Sequence, residues 1–129
     1  MKRRLLASIL ALALAAAGAL ALTGAASAGG NKGETTVTIQ EQNGDFHGTV
    51  RSNRPNKCAE DRLIWVYKQK GREQRPSRDN RLYMDTASLS GGRYEWDTGN
   101  TSANDGKYYA RATPTPDCKA DNSRTVRVT

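Results

Sequence analysis

Cys58-Ala-Glu-Asp-Arg-Leu-Ile-Trp-Val-Tyr-Lys-Gln-Lys70 is the most strongly patterned stretch of the chain. From Leu63 to Tyr67 every residue is aliphatic, β-branched or aromatic, and Lys68, Gln69 and Lys70 close the run with polar groups. Such a run predicts a strand with at least one buried face. Side chains alternate along a strand, so Ile64 and Val66 share one face while Trp65 and Tyr67 share the other. The aliphatic pair suits a core. The aromatic pair either lies under another layer or meets solvent, and that alternative decides what the surface can bind.

The flanking sequence repeats the β pattern. Thr35 to Gln40 places Val37 and Ile39 on one face, and Asn43-Gly44-Asp45 is a turn signal between strands. Phe46 to Arg51 alternates Phe46, Gly48 and Val50 against His47, Thr49 and Arg51. Downstream, Leu82 to Thr86 reads as a short edge strand. Gly91-Gly92 is a turn, and Arg93 to Asp97 puts Tyr94 and Trp96 together. Lys107 to Thr113 alternates Tyr108, Ala110 and Ala112 against Tyr109, Arg111 and Thr113. Arg124 to Val128 pairs Val126 with Val128. Seven short strands with Gly, Pro and Asn turns, and no helical period after the leader, predict an all-β fold. The expected form is an antiparallel β-sandwich, immunoglobulin- or transthyretin-like.

Cys58 and Cys118 are the only cysteines. In an immunoglobulin-like order, the loop after the second strand and the loop after the sixth share one end of the sandwich, and each holds one of these cysteines. A disulfide Cys58–Cys118 is therefore expected. Closing 60 residues of chain contributes about 4 kcal/mol in the chain-entropy model.

Met1-Lys2-Arg3-Arg4, an Ala- and Leu-rich run to Thr23, and Ala26-Ser27-Ala28 form a secretory leader over residues 1–28. A retained anchor stays open, because the apolar run approaches the ~20 residues that span a bilayer. Residues 29–34 read as a flexible Gly-rich lead-in and 35–129 as one domain. Removing the leader takes away three positive charges and lowers the formal charge from +7 to +4. The expected location is secreted, extracellular or cell-surface.

Several of these residues together carry a family likeness. Gly48-Thr49-Val50, Ile64-Trp65-Val66-Tyr67, Asp85-Thr86 with Gly92-Arg93-Tyr94-Glu95-Trp96, and Gly106-Lys107-Tyr108-Tyr109-Ala110-Arg111-Ala112 resemble the carboxypeptidase regulatory-like domain. That family is a transthyretin-like, prealbumin-type sandwich, and the resemblance runs over most of Phe46 to Thr129. It implies a non-catalytic domain in which Gly-x-Val opens an inner strand and Gly-x-Tyr turns a tyrosine inward near a strand start. The chain departs from the pattern in its Cys58–Cys118 pair, its long basic connection and the lack of an attached enzyme.

Chemistry has few candidates. His47 is the only histidine, so no His-based metal site of usual ligand count can form, and it falls on the face opposite Phe46 and Val50. No serine sits in a Gly-x-Ser-x-Gly elbow. Glu60 and Asp61 beside Arg62 read as surface ion pairs. Asp97, Asn100, Asn104 and Asp105 invite Ca²⁺ but lack an EF-hand spacing, and read as a turn-rich loop. Asn100-Thr101-Ser102 is a glycosylation sequon. No enzyme, cofactor or metal site is expected.

Two surfaces remain. If Ile64, Val66, Tyr108, Ala110, Val126 and Val128 point inward, then Trp65, Tyr67, Tyr109, Arg111 and Arg127 point out together. They form a face suited to sugar stacking, to a protein partner or self-association, or to nothing beyond cation–π packing. The second surface is the basic connection with Lys68, Lys70, Arg72, Arg75, Arg78 and Arg81, set against Glu73 and Asp79. It suits teichoic acid, phospholipid headgroups or acidic polysaccharide, or is simply a solvated loop. Nucleic acid is not expected, since no nucleic-acid fold signature is present. The sequence thus predicts a secreted non-catalytic β-sandwich module for a surface or extracellular carbohydrate. A structural or protein-interaction module is the alternative.

Overall fold

The computed structural model describes residues 31–129. The leader expected over residues 1–28 and the first two residues of the lead-in lie outside the described residues.

Ten strands and one helical turn follow in order: β1 (Thr35–Val37), β2 (Gln40–Gln42), β3 (Asp45–Ser52), α1 (Pro55–Cys58), β4 (Leu63–Gln69), β5 (Asn80–Thr86), β6 (Ser88–Ser90), β7 (Arg93–Asn100), β8 (Gly106–Ala112), β9 (Asp121–Asn122) and β10 (Val126–Val128). They build two antiparallel sheets. The first runs β1-β3-β7-β6 with β2 also on β3, and the second runs β10-β8-β4-β5 with β9 also on β8. Relettered in chain order, this is the ABED and GFC arrangement of an immunoglobulin-like sandwich with a fourth strand beside C. The expected β-sandwich is correct. Of the seven expected strands, the first is split in two, and the short β6 and β9 carry no sequence pattern.

Parity explains the core. Val37, Ile39, Phe46, Val50, Ile64, Val66, Trp96, Tyr108, Ala110, Ala112, Val126 and Val128 are all buried in one cluster, with Tyr83 and Tyr94 packed against it. Ile64 and Val66 do point inward as their alternation requires. Phe46 lies 4.9 Å from the Tyr108 ring. Tyr108 also closes a corner: its hydroxyl donates to the Asn104 carbonyl at 2.6 Å, four residues upstream. This is the tyrosine corner of immunoglobulin-like sheets. Both two-residue hairpins use left-handed residues, at Asn43 (φ 53°) with Gly44 (φ 83°) and at Gly91 (φ 57°) with Gly92 (φ 81°), as a type I′ turn demands.

The first expected strand breaks at Thr38, where the backbone buckles over Gly48. A Cβ on Gly48 would stand 2.0 Å from the Thr38 carbonyl oxygen and 3.0 Å from Trp96 Nε1. The Trp96 indole donates to that same carbonyl at 3.2 Å.

Cys58 and Cys118 are bonded, with Cα atoms 5.5 Å apart. They join the β3–β4 loop to the β8–β9 connection at one end of the sandwich. Gly33 is tied to the same place, with its N–H on the Asp117 carbonyl and its carbonyl accepting from the Lys119 N–H. The lead-in is therefore anchored from Gly33 onward.

Arg62 corrects the surface ion pairs expected of Glu60, Asp61 and Arg62. It is only 4% exposed. Its Nη1 donates to Thr35 Oγ1 (3.3 Å) and the Cys58 carbonyl (3.1 Å), and its Nη2 to the carbonyls of Thr113 (2.7 Å) and Lys119 (3.0 Å). None of the four acceptors is a carboxylate. Burial lowers the guanidinium's pKa from its ordinary value.

Gly48→Ala is expected to cost about 3 kcal/mol or more, because backbone rather than a flexible side chain occupies the space. Urea unfolding measures this, and an unchanged midpoint would contradict the buckle. Removing the disulfide as Cys58→Ala with Cys118→Ala is expected to cost about 4 kcal/mol, read from the same curves.

Candidate functional site

The face expected to carry function is the outer side of β4, β5 and β8. The registers fix its rows. Trp65 faces Met84 on β5 and Arg111 on β8, while Tyr67 faces Arg81 and Tyr109. Gln69 faces Lys107, which in turn faces Arg127 on β10. Arg127 therefore sits four residues along β8 from the Trp65–Arg111 row, about 13 Å away, and does not join it.

Tyr67 and Tyr109 overturn part of the expectation. Both point outward, as parity requires, and their rings stack at 5.3 Å and 9°. Yet both are buried, Tyr109 completely. The connection between β4 and β5 lies across them as a strap. Its residue Asp79 accepts from the Tyr109 hydroxyl (2.7 Å), the Lys70 N–H (3.0 Å) and the Arg75 N–H (2.6 Å). Gln74 reaches further across, donating to the Ser123 carbonyl and Thr125 Oγ1 at 2.9 Å each, and accepting from Asn122 Nδ2 at 3.1 Å. Lys107 Nζ and Gln69 Nε2 both donate to the Gly71 carbonyl. The expected open aromatic platform is thus closed over its two tyrosines. Of the three aromatic residues only Trp65 stays partly exposed. The Arg81 guanidinium lies 4.2 Å over its ring, and Arg111 Nη1 donates to Asn122 Oδ1 at 2.6 Å.

The basic connection also divides. Lys70, Arg72, Arg75 and Arg78 line one depression of about 490 Å³ on the strap, together with Glu73 and Asp79. Lys68 turns away, its Nζ 5.7 Å from the centre of the Tyr108 ring, and Arg81 belongs to Trp65. Gln74 went unrecognised in the sequence, and Asp79 and Gln69 read there only as an opposing charge and as the polar close of a strand. The only available signal was that Gln69 continues the outward parity of Trp65 and Tyr67.

On the opposite sheet, His47 is half-buried. Its Nε2 is 3.0 Å from Gln40 Oε1 and its Nδ1 is 3.8 Å from Asp45 Oδ1. Burial and the neighbouring Asp97 carboxyl raise the Asp45 pKa, against the pull of His47. The oxygen-rich loop uses its side chains on itself: Asp97 Oδ1 accepts from the Gly99 N–H and Asn100 Oδ1 from the Ser102 N–H. Among the described residues, no cluster of three or more His, Cys, Asp or Glu side chains could hold a metal ion.

Compared with known proteins, the chain matches no family model, no curated protein and no solved structure.

The latch gives a pH dependence. Burial alone would raise the Asp79 pKa, but the bonds from Lys70, Tyr109 and Arg75 outweigh it and hold the carboxyl below its ordinary value. Its contribution is complete above about pH 4 and fades as the pH falls through the folded value. Tyr109 behaves oppositely. Burial, then the Asp79 carboxylate, push its phenol well above the usual range, so its contribution holds below about pH 10 and is lost as the pH rises through the folded value. Spectrophotometric titration of the five tyrosines is expected to show a late-ionising fraction, part of which moves down in Asp79→Ala. A single transition identical in both proteins would refute the latch.

Proposed function

We propose that the domain is an exported, non-catalytic recognition module for an extracellular carbohydrate. The contact surface is the open part of the outer β4–β5–β8 face. One observation carries this reading: an accessible indole, Trp65, lies in a row with Arg111 and under the Arg81 guanidinium. An indole offers its π face to the C–H groups of a sugar once the Arg81 guanidinium swings off it, and guanidinium groups offer forked donors to hydroxyl or acidic substituents. Export is supported by the disulfide and by the leader read in the sequence. Among the described residues, no helix is long and apolar enough to cross a membrane. A non-catalytic role is supported by the single histidine and by both thiols being held in the disulfide. Kinship with carboxypeptidase regulatory-like domains belongs to the same proposal, supported by Gly48 beneath the Thr38 backbone and by the inward Tyr108.

A second reading, contact with a protein, is favoured by exposed apolar residues on the neighbouring edge strands: Leu82 (43%) and Met84 (53%) on β5 and Leu89 (61%) on β6. The bulge opposite Val66 and Tyr67 leaves Leu82 unpaired and twists that edge. Such a device limits strand-to-strand pairing, so the contact would be made by side chains.

Trp65→Ala with Arg111→Ala is expected to abolish polysaccharide pull-down while shifting the melting temperature little. Tyr109→Ala, by contrast, is expected to cost about 3–5 kcal/mol as a buried aromatic. Retained pull-down by the first variant, with self-association in sedimentation that Met84→Glu removes, would select the protein reading.

A further inference from the structure

We propose that the strap is a built anion-binding subsite, which makes the ligand a polysaccharide carrying sulfate or phosphate esters. It deepens the carbohydrate reading and rests on it only for the choice of polymer. Lys70, Arg72, Arg75 and Arg78 are all exposed, and they line a single depression of about 490 Å³. Two carboxylates share that depression, four cations against two anions. Both carboxylates are already engaged: Asp79 accepts from three donors, two in the strap and Tyr109 on β8, and Glu73 pairs with Arg75 at 3.4 Å. Lys70, Arg72 and Arg78 make no ion pair within 4 Å among the described residues.

A charged surface loop ordinarily pays the ordering of its long side chains and backbone when it binds. Here the backbone is ordered beforehand. The Arg78 and Asp79 N–H groups both donate to the Arg75 carbonyl at 2.8 Å, closing a turn. Asp79 ties that turn to Lys70 at one side and to the sheet at Tyr109 below. Gln74 pins the middle of the strap to Asn122, Ser123 and Thr125. The cations are thus spaced by a fixed frame, and that frame hangs on a negatively charged residue. Net charge and preorganisation therefore predict opposite consequences of removing Asp79.

The probe is dextran sulfate, with uncharged dextran as control and phosphatidylglycerol vesicles as a lipid arm, titrated across a salt series. The wild-type protein is expected to bind dextran sulfate with an affinity that falls as salt rises. Combined Arg72→Ala, Arg75→Ala and Arg78→Ala lowers that affinity roughly tenfold or more and flattens the salt slope by about 1 per cation removed. Glu73→Gln tightens binding. Asp79→Ala weakens it although a negative charge is lost, and circular dichroism with a melting curve confirms that this variant is folded. If Asp79→Ala tightens binding as Glu73→Gln does, the strap is a charged loop without a built site and the proposal fails. Vesicle binding that the triple variant loses while its dextran sulfate binding is unchanged would assign the anion to lipid headgroups and overturn the polymer. A silent triple variant alongside a Trp65→Ala that abolishes polysaccharide binding sinks the anion subsite and leaves the carbohydrate reading standing. The converse sinks the Trp65 surface alone.

Discussion

The Cys58–Cys118 bond and the guanidinium of Arg62 hold one end of the sandwich, and the arrangement of both sheets depends on them. Arg62 collects oxygens from β1, from the end of α1, from the segment after β8 and from the loop beyond Cys118. A buried cation without a carboxylate keeps its charge by such dipoles, and here they serve both Nη groups while Nε is left without a partner. Immunoglobulin domains of the antibody type place their disulfide between strands B and F in mid-core. In this chain Ala110 stands two residues after the corner tyrosine, where the second cysteine of that pattern would fall. The cross-link is moved to the loops, and the middle of the sandwich is left to Phe46, Trp96 and Tyr108.

Most of the fold was legible because alternation is a local property. Ile64-Trp65-Val66-Tyr67 has one arrangement that hides its aliphatic pair, and Asn43-Gly44 has one turn type that suits two left-handed residues. The cysteine positions then tested the strand order independently. What escaped reading is what depends on distant chain returning. Arg62 looks like a surface residue beside Glu60 and Asp61, since nothing local says that three other segments will bring oxygens to it. The two residues of β9 are too few to show a period. Gly33 has the composition of a linker, and only the sulfur packed against its α-carbon reveals why it is glycine.

The site was half legible for the same reason. Parity correctly sends Tyr67 and Tyr109 to the outer face. It cannot say whether a polar, aperiodic segment such as Gly71 to Asp79 folds back over that face. The strap is fastened by amide and carboxylate hydrogen bonds, a kind of fastening that residue periodicity does not record. Its consequence is a division of labour on one sheet: two tyrosines serve as a small second core, one tryptophan remains accessible, and the basic side chains are lifted into a layer of their own.

Gly33 also bears on the order of events in folding. A Cβ there would lie 2.8 Å from Cys58 Sγ, so this backbone covers the sulfur, and neither cysteine retains appreciable solvent contact. Thiol oxidation requires an exchange partner to reach a sulfur. Once Gly33 and β1 have docked, that approach is closed. The covered sulfur thus favours a cross-link formed before Gly33 closes over it.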